Sequence, residues 1–393
     1  MATNPKLSGL RGRRVQISGS ASQATDQKLL AYGHALVSKI TRQILSEGGG
    51  LVLNVGKEPR PLSADPDPPS LIFDWTALEE AANCFRDGCF TWSNVSGSPI
   101  QIVTSAKAVS EIPQPRISLW RELLDSGFVN VEYIQPGARS ATMMRDRQVQ
   151  LGDILLVLGG GTGVEHSARL YLDRRYPVIP IDLPIGASRE DGTGGSIRLS
   201  AEALNDVSRF FSLQPELAET AGARFAALST RGGVEDVKIV ADRVIDLMRS
   251  LCLPLAFYVR LLNPTSAAFS RVENFFRNVV DNVVEQAGFR HLEIGTDPTK
   301  EPFLNVAIFE NLHFASVAVI DLTGERPNCF IELGYALGRG IQVIMTAEEG
   351  TPLPFDSHDI PCFFWKHGLD DNDRRKALKE FWKKYIDRRP LVG

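Results

Sequence analysis

Two stretches hold side chains whose types and spacing could do chemistry. The first is SVAVIDLTGERPNCFIELGYALGRG, residues 316–340. An apolar run ends there on Asp321, and a second carboxylate, Glu332, stands among Phe330, Ile331, Leu333 and two glycines. A carboxylate in apolar company is costly unless it is paired or solvated. Two readings are open. Asn328 can cap a helix that begins near Cys329, with Pro327 rigidifying the entry. An acidic side chain in that first turn would gain about 0.3–1 kcal/mol from the helix dipole. Alternatively, two carboxylates at one sheet edge suit cleavage of a glycosidic bond. One attacks or stabilises the anomeric carbon while the other handles protons or orients the sugar. The spacing of Gly334 and Gly338, one helical turn apart, predicts a helix that approaches the sheet closely.

The second stretch is LGGGTGVEHSARLYL, residues 158–172, with Gly159, Gly160, Gly161, Thr162 and Gly163 between a buried strand and a helix. Glycine admits φ > 0 and close approach of backbone to a ligand. The helix start behind it offers unpaired N–H groups and a positive dipole end, which suit phosphate. GSAS, residues 19–22, stands in a similar place after an earlier strand, so Gly19 and Ser20 would form a second cradle at the same sheet edge. No Lys-Ser/Thr follows the glycines, which excludes a Walker A loop. His166, beside the turn, is a further contact candidate, whereas His313 in FENLHFA fits a packing role.

The elements that must position these residues follow from periodicity. RRVQISGSAS predicts a strand. The spacing of Leu29, Leu30, Tyr32, Ala35, Leu36, Ile40 and Ile44 predicts an amphipathic helix over 25–46, stopped by Gly48-Gly49-Gly50. LVLNVG, PIQIVTS (99–105), VNVEYI (129–134), DILLVLGGG (153–161) and YPVIPIDL (176–183) predict further strands, with helices at WTALEEAANCF and LWRELLDSG between them. Residues 200–250 are mostly helical in pattern. The rhythm restarts with LAFYVRLL (255–262), a helix over 269–288, the strand at 316–323, the helix of Glu332, the strand IQVIMTA (341–347) and a charged helix over 370–389 carrying Trp382 and Tyr385. Strands alternating with helices imply parallel sheets covered on both faces. The expectation is α/β, two Rossmann-like parallel-sheet domains, at 1–199 and 253–393, joined by a helical connector at 200–252.

The totals bound the class. At 393 residues the chain exceeds one average domain, and 43% hydrophobic with 23% charged residues is a globular composition. A net charge of -4 gives no global attraction for nucleic acid or anionic membrane, and both signs are interspersed in the last helix. No run has the length of a membrane span, and the first residues lack the apolar core of a signal peptide. Five scattered cysteines suggest a reducing, cytoplasmic setting, with Cys84 and Cys89 as ordinary thiols. No His, Cys or carboxylate spacing predicts a metal site.

GSAS, GGGLVLNVG and MMRDRQVQLGDILLVLGGGTGVEHS resemble the SLOG superfamily over roughly residues 12–200. That group includes LOG phosphoribohydrolases, DprA and sensor domains of bacterial defence proteins. The resemblance implies a nucleotide-derived ligand and makes Arg145 the equivalent of an upstream Arg, with Glu165 near the place of a downstream Glu. Leu158 stands where LOG enzymes have proline, and Thr162-Gly163 reverses their glycine-threonine order. Ligand binding is therefore implied more than LOG-type hydrolysis.

Residues 254–366 resemble the nucleoside 2-deoxyribosyltransferase-like superfamily, in particular its bacterial TIR-like branch, through Asp-Leu-Thr, Pro-Asn and Glu-Leu-Gly. By that resemblance Glu332 is the nucleophile, Asp321 and Asn328 line the pocket, and Tyr258 and Arg260 lie at the end of the first strand facing the ligand. Together the two resemblances imply a ligand-gated N-glycosidase of bacterial defence, acting on NAD+ or a related nucleotide as substrate with no cofactor, and assembling as a homo-oligomer. The alternatives are a nucleoside or deoxynucleotide glycosidase or transferase, and a nucleotide sensor without catalysis.

Overall fold

The computed structural model describes residues 10, 13–61, 68–90, 92, 98–135, 137, 139–186, 195–211, 215–229, 235–251, 255–287, 289–292, 308–309, 312, 315–338, 341–353 and 361–386. Its contacts fall into two compact units, one of residues 8–94 and 98–252 and one centred on 253–393.

The first unit carries a six-stranded sheet made of β1 (Arg14–Ser20), β2 (Gly50–Leu53), β3 (Ile100–Thr104), β4 (Val129–Tyr133), β5 (Ile154–Gly159) and β6 (Val178–Ile181). The order is β4-β3-β2-β1-β5-β6, and every pairing is parallel. Strands covered on both faces should be apolar along their length rather than alternating. In β5 all six residues of ILLVLG are buried. The order reverses between β1 and β5, and such a switch point leaves a crevice at the carboxyl ends of the strands. Although β1 is central, Ser18, Gly19 and Ser20 retain exposure at that end while Arg14 to Ile17 are buried.

Residues 200–252, expected as a connector, are instead part of this unit. Ala203, Phe210, Phe211, Val240, Val244 and Met248 belong to the same core as the sheet residues Val15 and Leu156. Helix Val237–Leu251 presents Val240, Ala241, Val244, Ile245 and Met248 on one buried stripe, the 3–4 spacing of a surface helix. Helical periodicity shows that a stripe must be covered, not what covers it.

The second unit has β7 (Leu255–Val259), β8 (Arg290–Leu292), β9 (Val317–Asp321), β10 (Gln342–Glu348) and β11 (Cys362–Trp365) in the order β11-β10-β9-β7-β8, again all parallel. The switch point lies between β7 and β9. Neither β8 nor β11 was expected from the sequence, because three or four residues are too few to show a period. Side chains alternate across β9. Val317 and Val319 join a core with Phe275, Phe276, Trp365 and Trp382, while Ala318 and Ile320 join another with Cys329, Leu333 and Ala336. Trp382 docks on its own unit, edge-to-face with Phe289 at 5.6 Å between ring centres.

Two local expectations are corrected. Cys84 and Cys89 form a disulfide that clips the end of helix Asp74–Arg86 to the following turn, rather than remaining free thiols. Gly334 and Gly338 do not bring their helix to the sheet. Both are exposed, and a Cβ on either would meet nothing within 4 Å. The contact is made by Cys329, Leu333 and Ala336.

Candidate functional site

At the first switch point, Gly19 and Ser20 pair with Leu158 and Gly159 across β1 and β5. The Ser20 carbonyl accepts the Gly160 N–H at 2.7 Å, and the Gly159 N–H donates to Ser196 Oγ at 2.8 Å. Gly159 and Gly160 have φ of 59° and 75°, where an L side chain is strained. A Cβ on Gly159 would also stand 2.5 Å from the Ser20 carbonyl oxygen, and one on Gly160 would stand 2.6 Å from Val164. These two glycines are thus required by the chain's own packing. The part of the turn left to a ligand is Gly161-Thr162-Gly163, where helix Thr162–Asp173 opens without a side-chain cap and Thr162 is exposed.

Arg145 reaches this helix start from helix Ser140–Leu151. Its Nη2 lies 3.0 Å from the place of a Cβ on Gly163, so that glycine makes room for the guanidinium. The neighbours of Arg145 are occupied: Asp146 pairs with Arg174, and Arg147 with Glu132. Arg145 itself, half-buried, has no ion-pair partner among the described residues. A cation beside the positive end of a helix is repulsive until an anion joins them, an arrangement that can take one. Glu165, by contrast, turns inward. It is buried, accepts the Gly195 N–H at 3.0 Å and lies 3.7 Å from Arg198, which tethers residue 195 over the glycine turn. His166 is half-buried on the same helix, and His313 lies outside the described residues.

A residue not picked out from the sequence stands at the same edge of the sheet. Asp74 begins helix Asp74–Arg86, and its Oδ1 accepts the Asn54 N–H at 2.9 Å just beyond β2. Burial pushes its carboxyl up to about 6, against the opposing hydrogen bonds of the Asn54 and Asp74 amides. Its signal, an acidic residue after a proline-rich loop, is common at any helix start. Only the return of that loop to the sheet edge gives it meaning.

In the second unit the expected carboxylate pair is not formed. The alternation along β9 turns Asp321 to the face opposite helix Pro327–Gly338, and both of its oxygens are engaged. Oδ2 accepts from Thr346 Oγ1 at 2.8 Å and Trp365 Nε1 at 3.0 Å, and Oδ1 accepts the Thr323 N–H at 3.1 Å. Burial raises its pKa and these donors hold it down. Asp321 therefore ties β9 to β10 and β11. Tyr258 and Arg260 are likewise engaged on that face. Tyr258 stacks on His291 and packs edge-on against Phe276, and Arg260 pairs with Glu273 beneath Phe276.

Glu332 is placed differently. The helix starts at Pro327, so Glu332 falls in its second turn and no acidic residue lies in the first. The dipole benefit fades beyond that first turn, which removes the helix-start account of this residue. Half-buried, it has no hydrogen bond or ion pair among the described residues, and burial pushes its carboxyl up to about 7 against the opposing charge of Arg326. Cys329, one turn earlier, is pushed up to about 12 by burial and by the charge of Glu332. Asn328 is exposed in the first turn, inside the helix rather than capping it. The preceding turn holds Gly324 and Glu325 at φ of 80° and 49°, a left-handed conformation that glycine adopts freely and that strains Glu325.

The family described as "ATP nucleosidase Cap17-like, N-terminal" matches residues 10–248. Two curated relatives, both ATP nucleosidase Cap17, from Escherichia coli strain KTE188 and from Escherichia coli, are 29% identical over 181 residues. The alignment covers 46% of this chain and 34% of each relative, so the chain spans about a third of the length of the relatives it matches. Among solved structures, DNA processing protein A from Helicobacter pylori aligns with 62% of this chain and 84% of its own, at 15% identity and a TM-score of 0.33.

Proposed function

The chain belongs to the Cap17-like N-terminal family, and from that premise we propose that it is a nucleotide N-glycosidase with a nucleotide-binding first unit and a catalytic second unit. The family match ends at residue 248, so it includes the crevice of Arg145 and excludes Glu332. ATP nucleosidase is the name of the relatives as whole proteins, of which the alignment covers 34%. The shared part is therefore taken as the nucleotide-binding module, and the chemistry is assigned to this chain's own second unit.

The observation that carries the catalytic assignment is Glu332: half-buried, without a hydrogen bond or ion pair among the described residues, and past the turn where the helix dipole would account for it. As a carboxylate it attacks or stabilises C1′ of the ribose while the bond to the base nitrogen breaks and its electron pair leaves with the base. Water then delivers hydroxide to C1′ and its second proton is released. A base that leaves readily needs little acid assistance, so one carboxylate suffices with Asp321 turned inward. Asn328, exposed one turn before Glu332, is the sugar-positioning candidate. Anion binding at Arg145 and Gly161 to Gly163 would raise the rate of the second unit. Such gating needs the ligand to favour one state of the whole protein, and the homo-oligomer and the defence role expected from the resemblances rest on it.

The test is base release from ATP, NAD+, nucleosides and deoxynucleotides, resolved by chromatography, with Glu332→Gln as control. Adenine or nicotinamide release that requires Glu332 supports the reading and names the substrate. Release that survives Glu332→Gln, or none from any substrate with any nucleotide added, refutes the catalytic assignment and leaves a binding protein.

A further inference from the structure

The first crevice has a second pole, opposite in character to Arg145. The loop before helix Asp74–Arg86 returns to the sheet edge, where the Ala21 N–H donates to the Leu71 carbonyl at 2.7 Å and Ser20 bridges antiparallel to Ile72. Two residues later comes Asp74, held by the Asn54 N–H beyond β2. It thus stands over the β1–β2 end of the crevice, while Arg145 stands at the β5 end. β2 and β5 flank β1, so the strand ends that lead to the two poles are about two strand spacings, roughly 10 Å, apart along the sheet. The carboxylate accepts only the Asn54 and Asp74 amide N–H groups among the described residues. A carboxylate has about four acceptor sites, so capacity remains for donors. The residue keeps some exposure, as do Ser18, Gly19 and Ser20 beside it.

We propose that Asp74 accepts hydrogen bonds from the ribose hydroxyls of the nucleotide whose phosphate is held at Arg145 and Gly163, so that the crevice selects ribonucleotides over 2′-deoxyribonucleotides. This rests on the nucleotide-binding reading of the first unit. The chemistry is complementary: the cation and helix N–H groups take the anion, and the acceptor takes the sugar's donors. Deleting the 2′-hydroxyl would leave the carboxylate desolvated without its donor, and a hydrogen bond to a charged group is strong enough for about tenfold discrimination or more.

The experiment is calorimetric titration of the full-length protein with AMP, 2′-deoxy-AMP, ATP and 2′-deoxy-ATP, repeated on Arg145→Ala and Asp74→Asn. Asparagine keeps an acceptor for the Asn54 N–H, so the helix start survives. The expected result is Arg145-dependent binding with the ribo form favoured about tenfold or more, and a ratio falling to within about threefold in Asp74→Asn because the ribo form alone weakens. Arg145-dependent binding without ribo preference, or Asp74→Asn weakening both forms equally, overturns the assignment of Asp74. Binding indifferent to Arg145→Ala, or absent for all four probes, overturns the crevice reading itself. The wild-type ratio needs no variant, so the inference stays testable even if Asp74→Asn folds poorly.

Discussion

At the first unit's switch point the group without an ion-pair partner among the described residues is a cation, Arg145, beside the uncapped start of a helix. On the helix leaving the second unit's switch-point strand it is a carboxylate, Glu332, one turn further along. Both sit on parallel sheets whose strand order reverses at that point. The sheet supplies a crevice and a helix, and a single side chain decides whether that place carries a cation or a carboxylate. Glycine shows the same divergence. In the first unit a Cβ on Gly159, Gly160 or Gly195 would strike backbone or Val164, whereas one on Gly334 or Gly338 would meet open space.

Glu332 carries the largest expected effect. Glu332→Gln is expected to lower base release by about a thousandfold or more while nucleotide binding through Arg145 is kept, measured by single-turnover assay and titration side by side. Loss of both together would mean that the two crevices are not separate functions.

Next in size is Gly159→Ala. With φ at 59° and the Ser20 carbonyl oxygen 2.5 Å from the new Cβ, the first unit should lose about 3 kcal/mol in denaturant unfolding. Asp321→Asn should cost about 2 kcal/mol, because Trp365 Nε1 and Thr346 Oγ1 both point at the oxygen that an amide nitrogen replaces. If Asp321→Asn instead abolished base release with stability unchanged, Asp321 would regain the sugar-positioning role that its hydrogen bonds deny it.

The pH dependence sharpens the role of Glu332. As an attacking carboxylate with its pKa pushed up to about 7, it predicts a kcat/KM that rises with pH through that value. A fall would make it an acid. Its stability effect has a defined sign. A carboxyl raised from 4.5 contributes stability that is full below 4.5 and lost as pH rises through about 7. Glu332→Gln should therefore unfold at a higher temperature than the wild type at pH 8, with the gap narrowing toward pH 4.5. The smallest effect is Gly334→Ala, expected to stabilise by about 0.5–1 kcal/mol as glycine entropy is removed on an open helix face.

Much of the fold was legible because strand and helix periods differ. Buried runs such as ILLVLG and the stripes of helices over 27–46 and 237–251 announce themselves locally. The strands at 290–292 and 362–365 did not, being shorter than any period. Of the candidate site residues, Glu332 and Arg145 have no ion-pair partner among the described residues. Asp321, Glu165, Tyr258 and Arg260 lie near the expected edges but are engaged by neighbours that a linear reading does not contain, namely Trp365, Gly195, His291 and Glu273.

By itself the sequence determined the α/β class, the alternation of strand and helix, the glycine turn and the presence of a carboxylate after the Asp-Leu-Thr strand. These follow from composition and from periods of 2 and 3.6, which are properties of the chain alone. The tertiary structure decided the rest: which oxygen of which carboxylate is already satisfied, which glycine is crowded, and that the described helices between residues 200 and 251 join the core of the first unit. It also brought Asp74 to the same edge of the sheet as Arg145 through a loop that twenty intervening residues separate from β2. Such matters depend on which strands become neighbours. Strand order is a long-range choice made by burial of whole layers, and no local pattern encodes it.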